Sequence, residues 1–266
     1  MKNKNAKEGK KTCNRNDSLD YGKFQNLKFS DFQMLASTKN VDEYERIGFP
    51  SSYRKGFERN ILNDIKGKVN AFNHRGSTLL DIGCGAGPLT LLEAKECYKN
   101  SSHLILVDSR EMLSHVPDEF GVEKIYGRFQ DCADQLERHR GKIQGILAYS
   151  VIQHVFLESN IFSFIDSALD LLSPGGEMLI GDIPNISKRK RFFASAAGID
   201  FHKKFTGGDQ PPKIVFNRLE LHKIDDGVVF GILSRYRSAG YDTYLLPQSA
   251  SLPMSNRRED ILIRKL

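Results

Sequence analysis

Several features that would settle a function class are missing from this chain. No apolar stretch approaches the roughly 18 residues that a membrane span requires, so no spanning helix is expected. The opening MKNKNAKEGKKTCNRNDSLD holds no apolar segment of the kind a secretory signal carries. It reads as a polar, lysine-rich, disordered tail over residues 1–20. Cysteine is scarce: Cys13, Cys84, Cys97 and Cys132 show neither CxxC spacing nor a paired framework, which points to reduced thiols in a cytoplasmic protein. No His, Asp and Glu cluster stands at metal-ligand spacing, so no metal is expected. Internal repeats are absent, and so are low-complexity tracts beyond the tail.

What remains is ordinary for a water-exposed globular chain. The 266 residues suffice for one large α/β domain with decoration, or for two small domains. Hydrophobic residues make up 39% and charged residues 27%. Thirty-nine Lys and Arg against 33 Asp and Glu leave a net charge of +6, which raises the question of a nucleic-acid partner. Much of the excess lies in the tail (Lys2, Lys4, Lys7, Lys10, Lys11) and in the run SKRKR, Ser187 to Arg191.

Helical spacing dominates residues 29–73, where Phe57, Ile61, Leu62 and Ile65 form an apolar stripe. Short apolar runs separated by helical segments follow: STLLDIG, HLILVD, EKIYGRF, QGILAYSV and GEMLIGDI. That alternation predicts βαβ units, a parallel sheet and right-handed crossovers. The last two runs, YDTYLLPQ and EDILIRKL, have no helix-length segment between them and are expected to pair antiparallel. The division expected is a tail over 1–20, a helical cap over 21–75, and a ligand-binding α/β domain over 76–266. That domain carries an insertion at about 185–222.

The stretch LLDIGCGAGPLT, residues 79–90, carries the first chemistry. A strand ending at Asp81 feeds a turn with Gly83, Gly85 and Gly87, and a helix follows with Pro88 at its start. Glycines permit a tight turn and let a ligand reach the main chain, while the helix start offers free N–H groups to an anionic moiety. A dinucleotide fingerprint would need glycine at position 88, where Pro88 stands. The observed D-x-G-x-G-x-G resembles the first motif of the class I S-adenosylmethionine-dependent methyltransferases. The later motifs extend the likeness over residues 76–184 and the terminal strand pair. LILVD ends in Asp108 and continues into Ser109 and Met112, GRFQDCADQL follows the third run, and LLSPGGEMLIGDIP the fourth.

The resemblance implies a Rossmann-like, doubly wound, seven-stranded sheet, mostly parallel with an antiparallel C-terminal pair, plus the N-terminal helical extension. It implies S-adenosylmethionine as cofactor and S-adenosylhomocysteine as product. It places Asp81, Gly83, Cys84, Gly85 and Gly87 around the cofactor, with Asp108 on the ribose hydroxyls as a bidentate acceptor. Ser109 and Met112 are expected beside Asp108. Phe129 is expected on the adenine face, Gln130 or Asp131 at its edge, and Ser150 at the mouth. The fourth strand departs from the family pattern, since Gln144 and Gly145 stand where an acid is common.

Methyl transfer from a sulfonium is an in-line displacement that leans on positioning. A hydroxyl acceptor also needs a base near the transition state. His154, just past the fourth run, is the first candidate, with Tyr149 and Asp182 as alternative catalytic residues. Acceptor recognition is expected from what the common core lacks: Tyr53, Arg54 and Arg59 in the N-terminal extension, Lys188 and Arg189 in the insertion, and Arg257 in the last turn. Their charge implies a small anionic acceptor bearing phosphate or sugar. FTGGDQPPK reads as a mobile loop and a lid. GDIPNISKRKRFF and LPMSNRREDILI resemble a bacterial subgroup found with surface-polysaccharide biosynthesis, which implies a carbohydrate or capsule acceptor. Two other readings stand beside this one, an RNA methyltransferase and a non-catalytic cofactor-binding module. Against RNA, no aromatic-interleaved basic patch is evident, and AYSVIQHV stands where base-methylating enzymes carry an NPPY-type motif.

Overall fold

A computed structural model of the chain describes residue 24 and residues 26–266, the side chain of Ser52 excepted; the expected tail and Cys13 lie outside them. Seven strands form one sheet: β1 (Thr78–Ile82), β2 (His103–Asp108), β3 (Glu123–Tyr126), β4 (Ile143–Tyr149), β5 (Leu172–Pro184), β6 (Asp242–Pro247) and β7 (Arg258–Arg264). Their order is β3-β2-β1-β4-β5-β7-β6. The first five strands pair in parallel, and β7 pairs antiparallel with both β5 and β6, as the sequence predicts. The central strands read as unbroken apolar runs because helices cover both of their faces.

The helices divide between those faces. Before the sheet come α1 (Phe29–Ser37), α2 (Glu43–Arg46), α3 (Ser51–Arg54) and α4 (Glu58–Lys68). Between strands lie α5 (Pro88–Lys99), α6 (Arg110–Leu113), α7 (Ala133–Leu136), α8 (Ile152–Glu158) and α9 (Ile161–Leu171). Past β5 follow α10 (Ile186–Ala194), α11 (Ala196–Thr206) and α12 (Asp226–Ser238). The apolar stripe foreseen in α4 buries Ile61, Leu62 and Ile65. Ile61 and Ile65 join Ala94 and Cys97 of α5 in the core on one side of the sheet. On the other side, α9 inserts Phe164, Ile165 and Ala168, and α12 inserts Val229, Ile232 and Tyr236. The Asn160 side chain starts α9 by accepting from the N–H groups of Phe162 and Ser163. Burying each of the Ile, Leu, Phe and Val side chains among these stabilises the fold by about 1.5–3 kcal/mol.

Register breaks where the sheet meets the site. Against β7, Ile180 faces Ile261 and Ile183 faces Glu259, so Gly181 and Asp182 together oppose Asp260 alone. This β-bulge turns Asp182 into the left-handed region at φ 59°. Its freed backbone N–H is taken up by the Asp260 carboxylate at 2.8 Å. Ser150, just past β4, is left-handed as well, at φ 61°.

Candidate functional site

Strands β1, β2 and β4 end on one edge of the sheet, and a cleft opens there, where parallel α/β sheets hold their ligands. The space between its walls, including that open to solvent at its mouth, is about 920 Å³. The turn after β1 forms its floor. Gly83 (φ 67°) and Gly85 (φ 65°) take the left-handed conformation that residues with a Cβ adopt only with strain. The helical segments ahead of β1 cover the turn, with Ile47 so close that a Cβ on Gly85 would lie 2.9 Å from its side chain.

Asp108, at the tip of β2, lines the cleft beside this turn. One of its carboxylate oxygens accepts from the Gly85 N–H at 2.9 Å, the other from the Ser109 N–H at 2.7 Å. A carboxylate offers about four lone pairs, so acceptor capacity remains for two hydroxyls. Burial pushes its pKa up to about 6, and the two backbone donors pull against that rise. Met112, Phe129 and Gln130 complete this end of the cleft. Phe129 meets Phe164 edge-on at 5.3 Å, and the Gln130 amide donates to the Ser159 hydroxyl at 3.0 Å. Cys84 also faces the cleft, its thiol pKa pushed up by burial and then by Asp108.

Asp81, Gly87, Ser109 and Asp131, also expected as cofactor contacts, do not line the cleft. Asp81 is buried beneath the turn near Glu93 of α5, whose two carboxylate oxygens have no hydrogen-bond partner among the described residues; burial drives the Asp81 pKa up to about 7. Gly87 precedes α5, Ser109 caps α6 by accepting from the Met112 N–H, and Asp131 is exposed.

At the other end of the cleft stands Arg54, delivered by α3 and only 7% exposed. One terminal nitrogen of its guanidinium donates to the Ser150 hydroxyl and to the Asp182 carboxylate, the latter at 3.0 Å. Ser150 in turn donates to Asp182. Arg258 of β7 reaches the same Asp182 oxygen at 3.0 Å. Gln248 donates to both Asp182 and Asp260, and Lys68 pairs with Asp260 at 2.7 Å. Buried charges persist only when so paired. The Arg54 plane lies 4.0 Å from the Phe49 ring centre and 5.5 Å from that of Tyr149. Tyr149 lines the cleft, with its hydroxyl pKa pushed well up by burial and by Asp182, so the group stays protonated.

His154, on α8, also lines the cleft. Its Nδ1 lies 2.9 Å from the Leu27 carbonyl, an acceptor only, so Nδ1 carries the hydrogen and Nε2 the lone pair. The Gln153 amide sits 3.2 Å from that lone pair, and Phe32 meets the ring edge-on at 4.9 Å. Burial lowers the His154 pKa below 6.5, against the opposing pull of the Leu27 contact.

The other expected acceptor contacts stand outside the cleft wall. Arg59 is exposed on the first turn of α4, and Tyr53 is half-buried beside Arg54. Lys188 donates to the Arg258 carbonyl at 2.6 Å. Arg189 and Arg257 lie over the Phe193 ring at 5.2 and 5.8 Å. Asp182 sits behind Arg54 and Ser150, where it orients them. Sequence reasoning missed Lys68, Gln248 and Asp260, and it missed the cap's apolar contribution through Phe32, Ile47 and Phe49. The acids of REDILIR were the available signal, because carboxylates inside a buried strand demand partners.

Solved methyltransferase structures share this fold. The plantazolicin methyltransferase BamL, in complex with a triazolic desmethylPZN analog and SAH, superposes with TM-score 0.55 at 14% identity. The match covers 92% of this chain and 97% of that one. The chain has the class I methyltransferase fold. The plantazolicin methyltransferase BpumL in complex with SAH shares it with TM-score 0.53 and 14% identity, over 93% of this chain and 96% of that one. The CurJ carbon methyltransferase shares it with TM-score 0.52 and 14% identity, over 92% and 67%. No family model matches the sequence. Among curated proteins, the ubiquinone biosynthesis O-methyltransferase of Maricaulis maris (strain MCS10) is 31% identical over 140 residues, 51% of this chain. The chain spans about half the length of that relative, 52%.

Proposed function

We propose that the chain is an S-adenosylmethionine-dependent methyltransferase acting on an oxygen of a small anionic acceptor. One observation carries the cofactor half: a carboxylate with acceptor capacity to spare, Asp108, lines the cleft beside a left-handed glycine turn to which it is hydrogen-bonded. The residues present fit an adenosyl group. Asp108 accepts from two ribose hydroxyls, Phe129 and Met112 flank the base, and the turn exposes backbone to the amino-acid end. When bound, S-adenosylmethionine supplies an electrophilic methyl group. The chain's own part is to hold an acceptor oxygen in line with that methyl and to receive its proton. His154 Nε2 receives it, with Gln153 turning aside from the lone pair it now covers.

Arg54 supports the acceptor class. Its Nε–H and both Nη1 hydrogens have no hydrogen-bond partner among the described residues. Three donors of a fixed guanidinium fork at the wall of a cleft suit a carboxylate or phosphate oxygen. The O-methyltransferase relative favours oxygen as the methylated atom, and the surface-polysaccharide likeness favours a sugar-bearing acceptor. Calorimetry with S-adenosylhomocysteine tests the cofactor half: Asp108→Ala should weaken binding at least tenfold, about 1.4 kcal/mol. Unchanged affinity would remove Asp108 from the ribose site. A mass-spectrometric screen of phosphorylated sugars and carboxylates for an added methyl tests the acceptor.

A further inference from the structure

Exposed large apolar side chains are concentrated in one stretch of the chain. Of twelve among the described residues, six fall between residues 201 and 221: Phe201, Phe205, Val215, Phe216, Leu219 and Leu221. The same stretch carries the charge. Residues 186–223 hold nine Lys and Arg against three Asp and Glu; Lys188, Lys190 and Arg191 are paired with Glu259, Glu220 and Asp226, which leaves Lys203, Lys204 and Lys213 among the cations for which no ion pair is seen within the described residues.

The apolar groups are presented, not merely uncovered. Phe201 and Phe205 stand four apart on α11 with rings stacked at 6.1 Å and 8°. Phe201 rests on Phe192 at 5.8 Å and on Phe193 at 6.1 Å, and Lys204 shares its helix face. Leu219 is 87% exposed although both neighbours are tied down. The Lys190 ammonium donates to the Arg218 carbonyl at 3.2 Å and pairs with Glu220 at 2.8 Å, so the leucine is held outward between two anchors.

Three partners meet this surface differently. A second copy of the chain would bring the same positive excess against itself across a two-fold interface. A nucleic acid satisfies the cations but leaves Leu219, Leu221 and Val215 without a use, since aliphatic groups neither stack on bases nor bind phosphate. An anionic bilayer satisfies both: apolar tips enter the headgroup boundary while lysines meet lipid phosphates. We propose that residues 186–223 form a docking surface for an anionic lipid bilayer, with Phe201, Phe205, Phe216, Leu219 and Leu221 as its apolar tips. Lys203, Lys204 and Lys213 supply its electrostatic grip. The surface starts directly after β5, so docking brings the Asp182 end of the sheet toward the membrane.

Flotation of the full chain with phosphatidylcholine vesicles, with and without about 30% phosphatidylglycerol, tests this independently of methyl transfer. Binding to the anionic vesicles is expected to exceed binding to the neutral ones at least tenfold and to fall as salt rises from about 0.1 to about 0.5 M. Leu219→Ser with Leu221→Ser, and separately Lys203→Glu with Lys204→Glu, should each weaken it about tenfold with melting temperature unchanged. Failure to float with anionic vesicles at low salt would overturn the proposal. So would flotation indifferent to both double variants. A leucine variant that instead turns a dimer into a monomer, or that abolishes RNA retention in a chain that does not float, assigns the surface to those partners.

Discussion

Burial acts on His154 and Asp81 in opposite chemical senses. In His154 it disfavours the imidazolium, so the ring is neutral and able to accept a proton through the physiological range. The acidic limb of kcat should therefore have its midpoint below pH 6.5, and His154→Ala should lower kcat by about a hundredfold. Affinity for S-adenosylhomocysteine should stay within about twofold, because no ribose or adenine contact is removed. A midpoint above pH 7 would take the proton transfer away from His154. In Asp81, burial favours the neutral acid, with a folded pKa of about 7 against 3.8 in the open chain. Between those values the folded state binds more protons than the unfolded state, so stability declines as pH rises through that window. Asp81→Asn keeps the shape without the charge. Its gain in melting temperature over the parent should be larger at pH 8 than at pH 4.5, readable by calorimetry.

The turn after β1 allows a finer discrimination between elements. Gly85 is left-handed and its missing Cβ would press on the branch of Ile47, whereas Gly87 has ordinary backbone and would meet only the terminal methyl of that side chain. Gly85→Ala should thus cost about 1–2 kcal/mol or more, and Gly87→Ala under about 1 kcal/mol, in urea unfolding. Equal costs would mean that Ile47, not the backbone, sets the requirement for glycine.

At this scale the sequence was most legible where one pattern governed many residues. Every apolar run expected to be a strand is one, and Asp81 and Asp108 stand at strand ends as read. The β5 bulge was invisible, because its driving force is an Asp260 side chain 78 residues away that replaces a sheet partner. Arg54 was legible as a cation near the mouth, but its partners come from β5 and from the residue after β4. Arg59 and Arg189 looked equivalent to it in sequence, since charge pattern does not reveal which arginine the cap turns inward.

For the molecule as a whole, the buried ionic cluster joins the N-terminal helices to the sheet. Arg54→Met should lower stability by about 2 kcal/mol, less than for an isolated buried pair, since Arg258 still neutralises Asp182. If Arg54 also grips the acceptor, the variant should raise the acceptor's Michaelis constant at least tenfold while kcat/KM for the cofactor changes little. A drop in stability with an unchanged Michaelis constant would leave Arg54 a purely architectural tie.

Ile47 resting on the glycine turn has one more consequence. A tenant of the cleft sits partly beneath a roof made by a segment that precedes the sheet in sequence, so loosening of residues 29–54 would widen its way in and out. Amide exchange in that segment should slow when S-adenosylhomocysteine binds, and turnover should be paced by departure of the spent molecule rather than by bond making.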